Sequence, residues 1–199
     1  AYVAALNAIR GFGSKTVTAI VACMGSAEEA WKAEESQLRE MGLSATVCDR
    51  LITGRKEIDV EKLFDKVLTK GVRLVTVFEP EYPDNLRNIP NPPAVLYVKG
   101  RLPGNCPINV AIVGTRTATV YGAKTARTIA SELGSKNICI VSGMARGIDT
   151  AAHKGAIDAD GYTVAVMGCG VDVVYPPENR DLAERIQEKG ALISEFPLG

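Results

Sequence analysis

From residue 108 to 196 the chain repeats one pattern: a short, near-continuous apolar run, then an amphipathic stretch. "INVAIVGT" (108–115), "NICIVSG" (137–143), "YTVAVMG" (162–168) and "ALISEF" (191–196) read as strands, and Val120–Leu133, Ile148–Ala159 and Asn179–Lys189 between them read as helices. Strands that are apolar on both faces belong in a parallel sheet covered by helices. Strand and helix in strict alternation therefore predict an α/β fold, a Rossmann-like doubly wound parallel sheet.

The chain ahead of this pattern has a different period. Residues 1–70 read as helices alone, with Ala4, Leu6 and Ile9, then Val17, Ile20 and Val21, at helical spacing. Gly11-Phe12-Gly13-Ser14, Gly25-Ser26 and Gly42-Leu43-Ser44 break them. Ser14, Ser26 and Ser44 are placed to cap the helix that follows each break. Asp59 is placed to cap a helix through Lys70, and Gly71 to stop it. "GFGS" resembles the turn of a helix-hairpin-helix in a small SAM-like domain, with "MGLS" (41–44) as a degenerate second copy. Backbone N–H groups of such a turn can hold one DNA phosphate. The few flanking cations favour the plainer reading, two glycines that let short helices turn tightly.

Between these regions Val72–Phe78 and Ala94–Val98 alternate like strands, joined by "EPEYPDNLRNIPNPP" with five prolines in fifteen residues. Proline fixes φ and removes a donor, so this is a defined but irregular bridge, read as docked on the domain that follows. The expected organisation is a helical domain over 1–70 and a Rossmann-like domain over 71–199.

Net charge is zero, which argues against coating nucleic acid by bulk charge, but the charge is unevenly placed. Arg116–Lys154 holds six cations and two acids, whereas Asp158–Gly199 holds three cations and eight acids. Solvated helix faces account for a basic block this small as well as a ligand footprint does. No stretch reads as a signal peptide or membrane span. Cys23, Cys48, Cys106, Cys139 and Cys169 are scattered and odd in number, without a CxxC pair. They argue against a disulfide framework or zinc site and fit a reducing cytoplasm.

In a parallel sheet, ligands bind beyond the carboxyl ends of the strands. Three consecutive strands here end in small or basic residues: Gly114-Thr115-Arg116, Ser142-Gly143-Met144-Ala145-Arg146-Gly147, and Gly168-Cys169-Gly170. Glycine admits a ligand close to the backbone. The helix start after Gly147 is expected to present unpaired N–H groups. Ser142 and Thr115 offer hydroxyls, and Arg116 a planar fork suited to phosphate. With Lys154 these residues form a candidate phosphate-binding shelf. No G-x-G-x-x-G, Walker or kinase signature accompanies it, which argues against NAD, FAD or ATP hydrolysis and leaves no cofactor expected.

Two catalytic readings are weaker. Asp149 and His153, four apart on one helical face, suit an acid–base pair. Local pairing by Asp149 and packing by His153 are favoured, since no nucleophile signature joins them. Cys169 between glycines suits an exposed nucleophile, but with His153 the only histidine, a small apolar role is favoured. Tyr121 and Tyr175 are candidate base-stackers or half-buried packing residues.

"VGTRTATVYG" (113–122), "VSGMARGIDTAAHKGAI" (141–157), "MGCGVDVVYPPENRDL" (167–182) and "ISEFPLG" (193–199) resemble the DNA-processing protein A family, DprA or Smf. The bridge and the helical start resemble it too, so the resemblance spans nearly the whole chain. Thr115 and Thr119 stand where that family has serine. Its Rossmann domain continues with further strands and an Arg-Asn-Arg motif, so the resemblance implies a fragment. It further implies binding of single-stranded DNA without strong base preference, delivery to the RecA recombinase in natural transformation, no enzymatic activity, and a homodimer in the full-length protein. Carried over by motif, the DNA site is Gly114, Thr115 and Arg116 with Ser142, Gly143 and their neighbours. The alternative is a small-nucleotide enzyme or sensor resembling the phosphoribohydrolases, whose P-G-G-x-G-T motif is absent here.

Overall fold

The computed structural model describes residues 1–104 and 108–199; Cys106, one of the scattered cysteines, lies outside the described residues. By its contacts the chain divides into two compact units, Ala1–Leu96 and Tyr97–Gly199.

The first unit opens with α1 (Tyr2–Ala8), α2 (Ser14–Met24), α3 (Ala27–Lys32), α4 (Glu35–Glu40), α5 (Ala45–Glu57) and α6 (Val60–Thr69). Their buried faces supply Leu6, Val17, Ile20, Leu38 and Leu51 to the core. Ser26, Ser44 and Asp59 cap as expected, accepting from the N–H groups of Glu29, Val47 and Lys62. Gly71 leaves α6 in the left-handed region (φ +65°). Ser14 departs from expectation: Gly13 holds the cap position of α2, and the Ser14 hydroxyl accepts instead from Ala94 N, 3.1 Å away. The two glycine turns share one backbone, with Gly11 and Gly42 both at φ +86°, two residues ahead of the caps Gly13 and Ser44.

β1 (Arg73–Thr76), α7 (Asp84–Arg87) and β2 (Val95–Gly100) follow. The proline-rich bridge is shorter of N–H donors than ordinary chain, and side chains replace them. Arg87 donates to the carbonyls of Val77, Glu79 and Tyr82, and Tyr82 Oη donates to Pro93 O at 2.9 Å. With Val77 N bonded to Ala94 O (3.0 Å), these links tie residues 71–96 to one another, and the bonds of Ala94 N to Ser14 and of Val72 N to Val67 O tie them to α2 and α6. That is why the division by contacts falls later than the change of period at 70/71, and the bridge's described bonds lie within the first unit.

The second unit runs β3 (Asn109–Ala111), α8 (Val120–Gly134), β4 (Cys139–Ser142), α9 (Ile148–Asp158), β5 (Thr163–Val166), a 3-10 turn (Pro177–Asn179), α10 (Arg180–Lys189) and β6 (Ala191–Ser194). In this unit the strands are ordered β2-β6-β5-β4-β3, with β2 belonging to it from Tyr97 onward. β3 to β6 are parallel, and β2 closes on β6 antiparallel with Tyr97 opposite Ser194. From β3 to β6 each crossover steps the same way. The right-handed rule then sets α8, α9 and α10 on one face, the unidirectional run of a Rossmann-like sheet. α8 and α9 pack closely because Gly155 has no side chain: a Cβ there would lie 2.2 Å from Arg127 O. Ala130, Ile140, Ala152 and Ala156 form the core beneath them, with Ile112 and Leu133 against it. At the β3 edge the other face is open; Val113 is 69% exposed.

Candidate functional site

The carboxyl ends of β3, β4 and β5 bring the three predicted loops to one edge of the sheet. What joins the first two is Asp149. Its buried carboxylate, in the first turn of α9, accepts from Gly114 N (3.4 Å), Gly143 N (3.1 Å) and Ala145 N (3.4 Å). A buried carboxylate needs such donors, and these loops supply backbone ones. The favoured local role for Asp149 therefore holds, and it reaches across two loops.

The glycines divide by what they face. Gly147 sits at φ +77°, and a Cβ on it would lie 2.2 Å from Thr115 O, so the neighbouring loop occupies the space expected for a ligand. Ile148 N seals the junction by donating to Thr115 O (3.2 Å). Gly170 packs similarly against Pro197 O, whereas Gly168 opens onto empty space.

Several expected donors are already engaged. Ser142 is buried and its hydroxyl donates to Ile112 O at 2.7 Å. Met144 is buried in the left-handed region (φ +63°), and its carbonyl accepts from Asn179 Nδ2. Contrary to expectation, the start of α9 has little to offer an anion: Ile148 N and Thr150 N bond to Thr115 O and Ala145 O. The unfilled start belongs to α8. Thr119 caps Gly122 N there at 3.0 Å, and the N–H groups of Val120 and Tyr121 make no hydrogen bond among the described residues.

Arg116 leads into that start, exposed and without a hydrogen-bonded or ionic partner among the described residues. Thr115 Oγ1 accepts from Thr117 N (3.2 Å), which shapes the short loop beside it. Lys124 and Lys154 are likewise exposed and outside every described ion pair, whereas Arg127 pairs with Asp158 and Arg146 with Glu178. The Arg146 pair raises the guanidinium's pKa and lowers the Glu178 carboxyl's, each chiefly through their shared hydrogen bond. Tyr121, 79% exposed, is not a half-buried packing residue, whereas Tyr175, 59% exposed, is close to half-buried and fits either role.

His153 is fully buried on α9, with Nδ1 2.7 Å from Thr163 Oγ1. Thr163 spends its only proton on Ile140 O (2.8 Å), so Nδ1 must be the donor and Nε2 is bare and unpartnered. Burial lowers the imidazole pKa to about 4. The ring is not paired with Asp149, whose oxygens face the loops. Cys169 donates to Val173 O at 3.3 Å, and burial pushes its thiol pKa up, away from a ready thiolate. Neither residue has a catalytic setting.

Sequence reasoning missed the start of α8, Asn179 and Glu178. The Thr119–Gly122 spacing was the available signal for the first. The other two act across about thirty residues and leave no local signature.

Residues 73–199 match the family described as DNA recombination-mediator protein A. Protein Smf of Synechocystis is 36% identical over all of this chain and 51% of its own length. The DNA processing protein DprA of Bacillus subtilis is 32% identical over 84% of this chain and 59% of its own. The chain thus spans about half the length of the curated relatives it matches. The X-ray structure of DNA processing protein A from Streptococcus pneumoniae superposes with a TM-score of 0.78 at 28% identity, covering all of this chain and 68% of that one. A structure of the Helicobacter pylori protein, described for its single-stranded DNA binding mode, superposes with a TM-score of 0.56 at 30% identity, over 64% of this chain and 58% of that one.

Proposed function

The chain belongs to the DNA recombination-mediator protein A family, and from that premise we propose that its strand-end loops bind single-stranded DNA by the phosphate backbone. One observation carries the reading: Arg116 stands exposed and, among the described residues, unpaired where β3 gives way to the unfilled start of α8. A guanidinium fork and a helix start are both suited to phosphate oxygens. Tyr121 beside them offers a flat, exposed ring, and a base can stack on it whatever its identity. Lys124 and Lys154 add positive charge that no described ion pair takes up, and Gly168 leaves room for a strand to pass. No helix among the described residues is long and apolar enough to cross a membrane.

The site acts by holding rather than by turnover: His153 is sealed in the core and Cys169 is engaged with a carbonyl. In the whole protein this binding serves recombination, with single-stranded DNA passed to the RecA recombinase during natural transformation, and with two copies acting together. Fluorescence anisotropy of labelled oligo-dT against duplex of equal length tests the reading. Tighter binding to the single strand is expected, with little difference between oligo-dT and mixed sequence. Tighter binding to duplex, or binding of mononucleotides alone, would overturn it.

A further inference from the structure

Arg146 stands at the same edge as Arg116 but in a different electrostatic setting. Its Nε donates to Glu178 Oε1, with both side chains about half exposed. The carboxylate is there by construction. Glu178 lies in the 3-10 turn Pro177–Asn179, and the next residue, Asn179, is buried. Asn179 Nδ2 donates to Met144 O (2.9 Å) and Thr150 Oγ1 (2.8 Å), one residue on each side of the stretch that carries Arg146 and Gly147. That bolt fixes the turn to the β4–α9 loop and holds the acid against the cation. Tyr175, from the same segment, is within reach of the guanidinium as well. A carboxylate so placed occupies a donor that a phosphate would use and lowers the positive potential that an incoming polyanion meets.

We propose that Glu178 guards Arg146: its carboxylate must be displaced before Arg146 can engage a DNA phosphate, so Glu178 sets the affinity and salt response of the edge. The proposal rests on the single-strand-binding reading above. Ion pairs this exposed are weak, so the guard yields to phosphate and tunes binding rather than blocking it.

Glu178→Gln keeps the shape and removes the charge. The 199-residue protein carrying it should bind labelled oligo-dT about two- to fivefold more tightly at low salt. Its log–log salt slope should steepen by about 0.7, the release of one more counterion. Adding Arg146→Ala to Glu178→Gln should cancel both changes. Glu184→Gln, on an exposed position of α10, removes the same net charge and should leave binding where it was. Unchanged or weaker binding by Glu178→Gln with an unaltered melting temperature would overturn the guard, as would an equal gain from Glu184→Gln. If the melting temperature falls, Glu178→Ala and Glu178→Ser replace it, and no gain in either overturns the guard equally. Loss of binding in Arg116→Ala together with no effect of Glu178→Gln removes the guard alone. No effect from either removes the DNA reading and the guard with it.

Discussion

Arg116 and Arg146 differ by a single carboxylate, and that difference orders what their removal should do. Arg116 has no described partner to strand and no core contact to lose. Arg116→Ala should therefore weaken single-strand binding by about 1.5–3 kcal/mol, the range for a charge-assisted hydrogen bond. The melting temperature should hardly move. Arg116→Lys should recover only part of the loss, because an ammonium cannot reproduce the fork. Equal oligo-dT affinity in wild type and Arg116→Ala across low and moderate salt would remove this residue from the site. His153 makes the opposite kind of contribution, to stability and not to binding. Its folded pKa is about 4, below the ordinary 6.5. Between those values the unfolded chain takes up a proton that the folded chain refuses, so this contribution is intact above pH 6.5 and is lost as pH falls toward 4. The loss should total about 3 kcal/mol. Urea unfolding of wild type and His153→Gln at several pH values checks it; matching pH profiles would show that the imidazole is not the group responsible.

At the level of elements, the edge is two loops stitched by Asp149, and the stitching explains which glycines matter. Gly147→Ala places a Cβ 2.2 Å from Thr115 O in a left-handed conformation (φ +77°). Strain and overpacking together should cost about 2–4 kcal/mol. Because the carbonyl it strikes belongs to the loop of Arg116, single-strand affinity should fall too. Gly168→Ala meets open space and should stay within about 0.5 kcal/mol of wild type. Thermal melts of the two variants decide it, and equal losses would contradict the division. The elements themselves were legible because periodicity is local: apolar runs gave the strands, and Ser26, Ser44 and Asp59 marked the caps. Ser14 misled because its hydroxyl answers Ala94, eighty positions away. The site was half legible for the same reason. Strand ends located the edge, and Arg116 with it. The destinations of backbone donors depend on Asp149 and on partners in other loops, so the sequence pointed to α9 for unfilled N–H groups that the fold leaves at the start of α8.

Across the whole molecule, neutrality conceals segregation. The residues from Arg116 to Lys154 carry an excess of cations and those after Asp158 an excess of acids. Only part of the basic block is available, because Asp158 and Glu178 each neutralise one of its arginines. Of the four cations left, Lys136 lies past the carboxyl end of α8, and Arg116, Lys124 and Lys154 set the scale of the salt response. Two to four phosphate contacts at about 0.7 each give a log–log slope of about −1.4 to −2.8 for oligo-dT. A titration from low to moderate salt measures it, and a slope near zero would rule out backbone recognition. The fold class was readable in the strand–helix alternation. The antiparallel closure of β2 on β6 was not, because nothing local distinguishes a strand that will run against its neighbour. The sealed histidine has a practical use beyond its effect on stability. Reagents that acylate imidazole need a bare ring nitrogen, and Nε2 of His153 is bare but enclosed beside β5. Acylation must wait until α9 lifts from the sheet. With no second histidine in the chain to blur the signal, its modification at neutral pH is a native clock for how often that one helix comes away.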